Sequence, residues 1–270
     1  VKQKVFHLAI GMTVLALVIL LAGVAAAQDA NEIMKKSHMA YYYAGDDGVV
    51  EVNMRLIKGD KERNREFTML RVDLEEGGNQ KYYTYFKKPS DVSRMTFMVF
   101  KQSDGNDSRW IYVPAVDLVK PISADDKNSS FVGSDFTYED VSGRHWNEDT
   151  HTQTNGEGDL GGKPVFIIES IPKDNGYKGF AKRVSYIDKS NYLPLKEEYY
   201  NDKGELIRIF TADKIEDIEG IQTVTVRSIE NVKKGTRTVV EFSNIDYNVG
   251  LGEDIFTERY LKTPPRQYIK

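Results

Sequence analysis

The hydrophobic period of this chain is the feature that most restricts its fold. From Val49 to Asn248, apolar residues return at every second position in run after run, with mostly short turns between. In VVEVNMRLIK, Val50, Val52, Met54 and Leu56 share one side and Glu51, Asn53 and Arg55 the other, the alternation of a half-buried strand. REFTMLRVDLE repeats it, with Leu70, Val72 and Leu74 opposed by Arg71, Asp73 and Glu75, and Glu76-Gly77-Gly78-Asn79 turns the chain into KYYTYFKKP. Further runs occupy 94–100, 108–114, 163–171, 181–189, 193–201, 205–215, 221–231 and 237–248, giving about eleven strands. Hairpin-type turns fall at Asn201-Asp202-Lys203-Gly204 and Lys233-Lys234-Gly235. Short connections make successive strands antiparallel neighbours. The strand–helix alternation of a parallel doubly wound sheet is missing. The pattern predicts a mainly β (α+β) protein, with residues 28–270 forming a single domain on one large sheet.

Helices are expected at the two ends of this block. Asp29 can cap a helix running to about Tyr43, with Glu32 completing a capping-box pattern and Gly45-Asp46-Asp47-Gly48 stopping it. Glu253 to Leu261 (EDIFTERYL) reads as a second, short helix. Ahead of both lie Lys2 and Lys4, the apolar stretch Val5 to Val24 and the small residues Ala25-Ala26-Ala27. That order reads as a signal peptide over residues 1–27, cleaved to release the chain into a periplasm. The same apolar stretch, if kept, is long enough to act as a single membrane anchor. There is no cysteine, which excludes a disulfide framework, a thiolate zinc site and a Cys nucleophile. The 37 Lys+Arg against 41 Asp+Glu leave no basic patch for nucleic acid.

One strand departs from the alternation. In Met95 to Phe100, Met95, Phe97 and Val99 point one way and Met98 and Phe100 the other, so both faces are apolar; Trp110 to Val113 repeats this. Such strands must be covered twice, by packed core, by a helix, or by a cavity that takes an apolar ligand. Signals for covalent chemistry are weak. His145 and His151 bracket Glu148 and Asp149, but their spacing fits neither a helical ligand pair nor structural zinc, and the stretch reads as a solvated loop. His38 reads as a surface or lid residue on the first helix. Glu197 and Glu198 are strand neighbours and point to opposite faces, so they form no dyad. No nucleophile elbow, dinucleotide fingerprint or P-loop occurs. Gly158 to Gly162 reads as a turn. The chain is expected to be neither an enzyme nor a holder of metal or cofactor.

SRWIYVPAVDLVKPIS followed by SSFVGSDFTYEDV resembles the outer-membrane lipoprotein-sorting family related to the carrier LolA. KRVSYIDKSNYLPLKEEYYNDKGEL (182–206), IEDIEGIQTVTVRSIENVKKGTRTVVEFSNIDYNVGL (215–251) and EDIFTERYL agree in the same order. The resemblance implies an open antiparallel β-barrel, a half-barrel with short helices lidding its concave face, and an apolar cavity for the acyl chains of lipoproteins or lipids. It implies no catalytic residue and no cofactor. It leaves the cargo open, points to an inner-membrane exporter of the resistance-nodulation-division type as a partner, and is compatible with a monomer. A related fold acts instead as a sensor that binds a membrane-protein partner, which is the alternative reading. Under the carrier reading, the expected lining residues are Met54, Leu56, Phe67, Met69, Met95, Phe97, Val99, Trp110 and Tyr112. Ser134 is expected to cap a helical turn over SDFTYED with Asp135 at its start, while Phe131, Phe136 and Tyr138 press that turn onto the sheet.

Overall fold

In the computed structural model, which describes residues 29–154 and 158–269, the period-two runs form one antiparallel sheet of 14 strands. These are β1 (Asp47–Lys58), β2 (Lys61–Asp73), β3 (Gln80–Lys88), β4 (Thr96–Lys101), β5 (Ser108–Val113), β6 (Leu118–Ile122) and β7 (Asp149–Gln153). They continue with β8 (Gly158–Leu160), β9 (Lys163–Pro172), β10 (Lys182–Asp188), β11 (Pro194–Tyr200), β12 (Leu206–Ile218), β13 (Ile221–Asn231) and β14 (Thr236–Tyr247). Their order is β6-β5-β4-β3-β2-β1-β14-β13-β12-β11-β10-β9-β7, with β8 on β9. The end strands β6 and β7 do not meet, so the sheet is open. Two meanders are thus joined at one seam, where β14 pairs with β1 and Met54 stands opposite Val240.

Three strands exceed the expected eleven, and each hides its period. β6 carries Pro121 at the sheet edge, where the missing N–H disrupts no ladder. β7 is DTHTQ, without an apolar residue to alternate. β8 has 3 residues and was masked by the glycines around it; only Gly161-Gly162 forms the turn expected there.

The sheet curls. β4 and β12 stand six places apart in the order, about 29 Å on a flat sheet at ~4.8 Å per strand. Yet the Tyr138 ring lies 5.3 Å from that of Phe97 on β4, and Asp140, two residues on, accepts a 2.6 Å bond from Arg208 on β12. The two meanders therefore face each other across a trough.

Inside the trough lie α1 (Ala30–Tyr42) and α2 (Tyr138–Ser142). Asp29 caps α1, its carboxylate accepting from the Asn31 N–H at 3.2 Å, and Ile33 and Met34 pack on Ile168 of β9 and Ile187 of β10. The chain's closing segment behaves differently from the expected lid. It is a 3-10 turn (Glu253–Ile255) followed by α3 (Glu258–Lys262), and it covers the outer face of the sheet. Leu251, Ile255, Phe256 and Leu261 bury Leu70, Val72, Tyr83 and Met98 there. The hydroxyls of Tyr83 and Thr96 fix it by donating to the carbonyls of Tyr260 and Leu261, both at 2.7 Å. The two-faced strand β4 now has its two covers: Phe97 and Val99 point into the trough and Met98 outward, all buried. Among the described residues no helix is long and apolar enough to cross a membrane. The leader or anchor expected over residues 1–27 lies outside the described residues.

Candidate binding site

The inner face of β1–β5 and β14 is aromatic and aliphatic. Met54, Phe67, Phe97 and Val99 are each at most 2% exposed and share one cluster with Phe86, Ile111 and Val240. Leu56, Met69 and Met95 pack against it, partly buried. Trp110 and Tyr112 do not join them. β5 turns Arg109 and Ile111 inward, while Trp110 lies outside, its ring 5.0 Å from Phe100, and Tyr112 belongs to the cluster under α3. A strand apolar on both sides gives no sign of which side faces in, and a shift of one residue exchanges them.

The trough is filled by the chain itself. The Phe131 N–H donates to the Phe136 carbonyl at 2.8 Å and Ser130 bridges Thr137, forming a narrow hairpin that we call the plug. Its tip places Val132 at φ +48° and Gly133 at φ +82°. Glycine accepts this conformation freely; a β-branched valine does so only under strain of about 1–3 kcal/mol. Phe131 sits among Phe67, Phe86, Phe97 and Tyr138 with ring centroids 5.3 to 6.4 Å away. Asp135 ties the hairpin to β14, accepting from the hydroxyls of Thr236 at 2.6 Å and Thr238 at 2.9 Å.

The expected cap is displaced by three residues. The Ser134 hydroxyl donates to the Phe131 carbonyl at 2.7 Å and caps nothing. Thr137 caps α2 instead: its hydroxyl accepts from the Asp140 N–H at 3.1 Å while the Asp140 carboxylate accepts from the Thr137 N–H at 2.6 Å. Thr137 wins because the bridge between Ser130 and Thr137 holds Ser134 and Asp135 in the hairpin turn. α2 ends at Gly143, at φ +76°, where a Cβ would stand 2.3 Å from the Tyr42 ring.

Little free space remains. A void of about 20 Å³ lies between the plug and Met54, Phe67 and Met69. A larger cavity of about 140 Å³ lies beside it, between the end of α1 (Tyr41, Tyr42), Val50, Met69, Phe242 and Arg227. An apolar cavity of this size takes a benzene-sized ring.

The opposite wall is charged, which the alternation concealed. Arg144 donates to Asp149 at 2.8 Å and Glu148 at 2.7 Å; Arg183 stands between Asp149 at 3.4 Å and Glu197 at 3.5 Å. Burial alone would raise the Glu139 carboxyl, but Lys127 at 2.8 Å pulls it below the usual range, and the Tyr177 hydroxyl donates to it. The stretch from His145 to His151 is therefore no solvated loop. His145, Asp149 and His151 are buried, and His151 is held by Ser170 at 2.8 Å and the Trp146 carbonyl at 2.6 Å. His38, expected at the surface, is buried with its ring 5.0 Å from that of His145, and burial lowers its pKa. These residues read as exposed because charged and polar side chains normally are; here each carboxylate partner comes from a distant strand or loop. Glu197 and Glu198 do point apart, the first accepting from Ser185 and Tyr199, the second from Tyr186 and Tyr200. Among the described residues no group of three or more His, Cys, Asp or Glu is placed to hold a metal ion.

A family model described as "Uncharacterized protein" matches residues 78–263, more than half of the chain. Among solved structures, the chain is similar to a DUF1329 family protein from Desulfovibrio piger, with a TM-score of 0.80 and 27% identity over 86% of this chain and 97% of that one. It is similar to a protein domain assigned to outer membrane lipoprotein sorting in Vibrio parahaemolyticus, with a TM-score of 0.79 and 29% identity over 86% and 98% of the two chains. A LolA superfamily protein from Nitrosomonas europaea shares the fold at a TM-score of 0.68 and 19% identity, over 87% of this chain and 100% of that one. No curated protein matches the chain.

Proposed function

We propose that this chain, similar in fold to LolA-like proteins and 29% identical to a domain assigned to outer membrane lipoprotein sorting, is a periplasmic carrier sheltering the acyl chains of lipids or lipoproteins. The observation that supports this most directly is the plug. An aromatic trough wall spanning β1 to β5 and β14 is occupied by a short hairpin of the same chain, held at its tip by a strained valine. Each exposed methylene of an acyl chain costs about 0.8 kcal/mol in water, and an apolar wall without directional bonds returns that for chains of many shapes. An empty trough would aggregate; a hairpin that occupies it between loads prevents this. The 140 Å³ cavity is too small for a whole acyl chain, so loading requires Phe131 and Phe136 to leave the wall. In the same reading the protein binds and releases cargo without covalent chemistry, and an inner-membrane exporter is the partner it loads from or delivers to.

Native mass spectrometry of protein purified from its own compartment tests the reading, with Met69→Glu as control, since Met69 borders the cavity and is only partly buried. Lipid adducts on the wild type that are lost in a folded Met69→Glu variant are expected. Wild-type protein free of lipid, and unable to take up any acyl chain added afterwards, would remove the carrier reading.

A further inference from the structure

Two cations in the trough have no carboxylate partner: Lys101, buried and donating to the Gly143 carbonyl at the end of α2, and Arg227, which borders free space. Arg144, Arg183 and Arg208 each hold a carboxylate, the closest pair being Arg208 and Asp140 at 2.6 Å. Among the described residues no carboxylate stands within 4.0 Å of the Arg227 guanidinium on β13. One Nη donates to the Tyr41 hydroxyl at 2.6 Å, and the guanidinium lies over three rings, 4.9 Å from Phe242, 5.4 Å from Phe136 and 5.7 Å from Tyr41. Its Nε is buried without any partner. Asp140, which lines two of the same cavities, is already committed to Arg208 and to the Thr137 N–H. Arg227 is half-buried, and even partial burial of a cation without an anion carries a cost that aromatic faces offset only in part.

Arg227 also stands where the empty spaces meet. It borders the apolar cavity of about 140 Å³, the void of about 20 Å³ behind the plug, and a polar cavity of about 50 Å³ that reaches toward Arg144 and Arg183. A guanidinium presents a fork of donors that fits a carboxylate or phosphate. Apolar space begins directly beside it. We propose that Arg227 anchors the anionic head, carboxylate or phosphate, of a single-chain amphiphile whose tail lies in the aromatic trough. This rests on the carrier reading and narrows it. The ester- and amide-linked chains of a lipoprotein bring no such charge, so the preferred cargo is an acidic lipid.

Three ligands with one tail test the assignment: dodecanoate, dodecyl phosphate and dodecanol, titrated into the whole protein by calorimetry. The two anions are expected to bind about 10- to 100-fold more tightly than the alcohol, and whichever anion binds better identifies the head. Arg227→Met should erase that gap while a cooperative melting transition shows that the variant is folded. Arg227→Lys should keep part of the preference. Equal binding of all three by the wild type overturns the anchor while the carrier reading stands, and needs no variant. A gap that survives in Arg227→Met also overturns it. Binding of none of them removes both readings.

Discussion

Truncating Phe131 separates a displaceable plug from permanent core. Phe131 is 2% exposed and meets four rings, so Phe131→Ala should cost about 3–5 kcal/mol of stability. At about 2–4 °C per kcal/mol for a domain of this size, the melting temperature falls by roughly 6–20 °C. If the plug must leave before an acyl chain enters, the wild type's apparent affinity is reduced by the fraction of molecules with the plug out. Weakening the plug then tightens binding. Each 1.4 kcal/mol is tenfold, and part of the loss appears only on global unfolding, so a gain of about 10- to 100-fold is expected. Thermal melts and titration with a fluorescent acyl probe, on the same samples, give both quantities. A variant that loses the stability and binds the probe no better, or binds it more weakly, refutes the reasoning, because Phe131 would then be ordinary core or part of the ligand's own contact surface.

Asp135→Ala cuts the plug's two hydroxyl bonds to β14 and should cost about 1–3 kcal/mol, read as faster protease nicking of residues 129–137 at a temperature where the rest stays folded. Trp110→Ala, on the outer face, should lower stability and leave acyl-chain affinity unchanged within about twofold. Burial lowers the pKa of His38 and His151 in the folded protein. The unfolded chain gains their protons as pH falls through about 6.5, so denaturant midpoints should drop between pH 7 and 5. The Asp73 carboxyl works in the opposite sense, pushed up to about 6 by burial. It takes up its proton in the folded state first, so Asp73→Asn should make the acid loss steeper.

Period two marked the apolar side of β1, where Met54 alternates with the partly exposed Asn53 and Arg55. It was not enough where both sides of a strand are buried: Trp110 and Ile111 are equally apolar, and only the register with β4 decides between them. The charged wall was invisible for a different reason. Arg183, Glu197 and Arg208 look like the solvent side of an amphipathic strand until Asp149 and Asp140 arrive from distant segments to pair with them. The plug's aromatics were legible as an anchor, but its cap was not, since the bridge between Ser130 and Thr137 that moves the helix start to Thr137 depends on backbone pairing with no sequence signature.

The seam of β1 and β14 sets the order in which this molecule can be completed. Lys58 waits for Thr236 and Val49 for Asp246, contacts between residues nearly two hundred positions apart, so the halves must each find shape before they zip together. Such distant closure folds slowly. A chain cut short of Thr236 would keep two bare strand edges, at β1 and β13, open to pairing with other molecules.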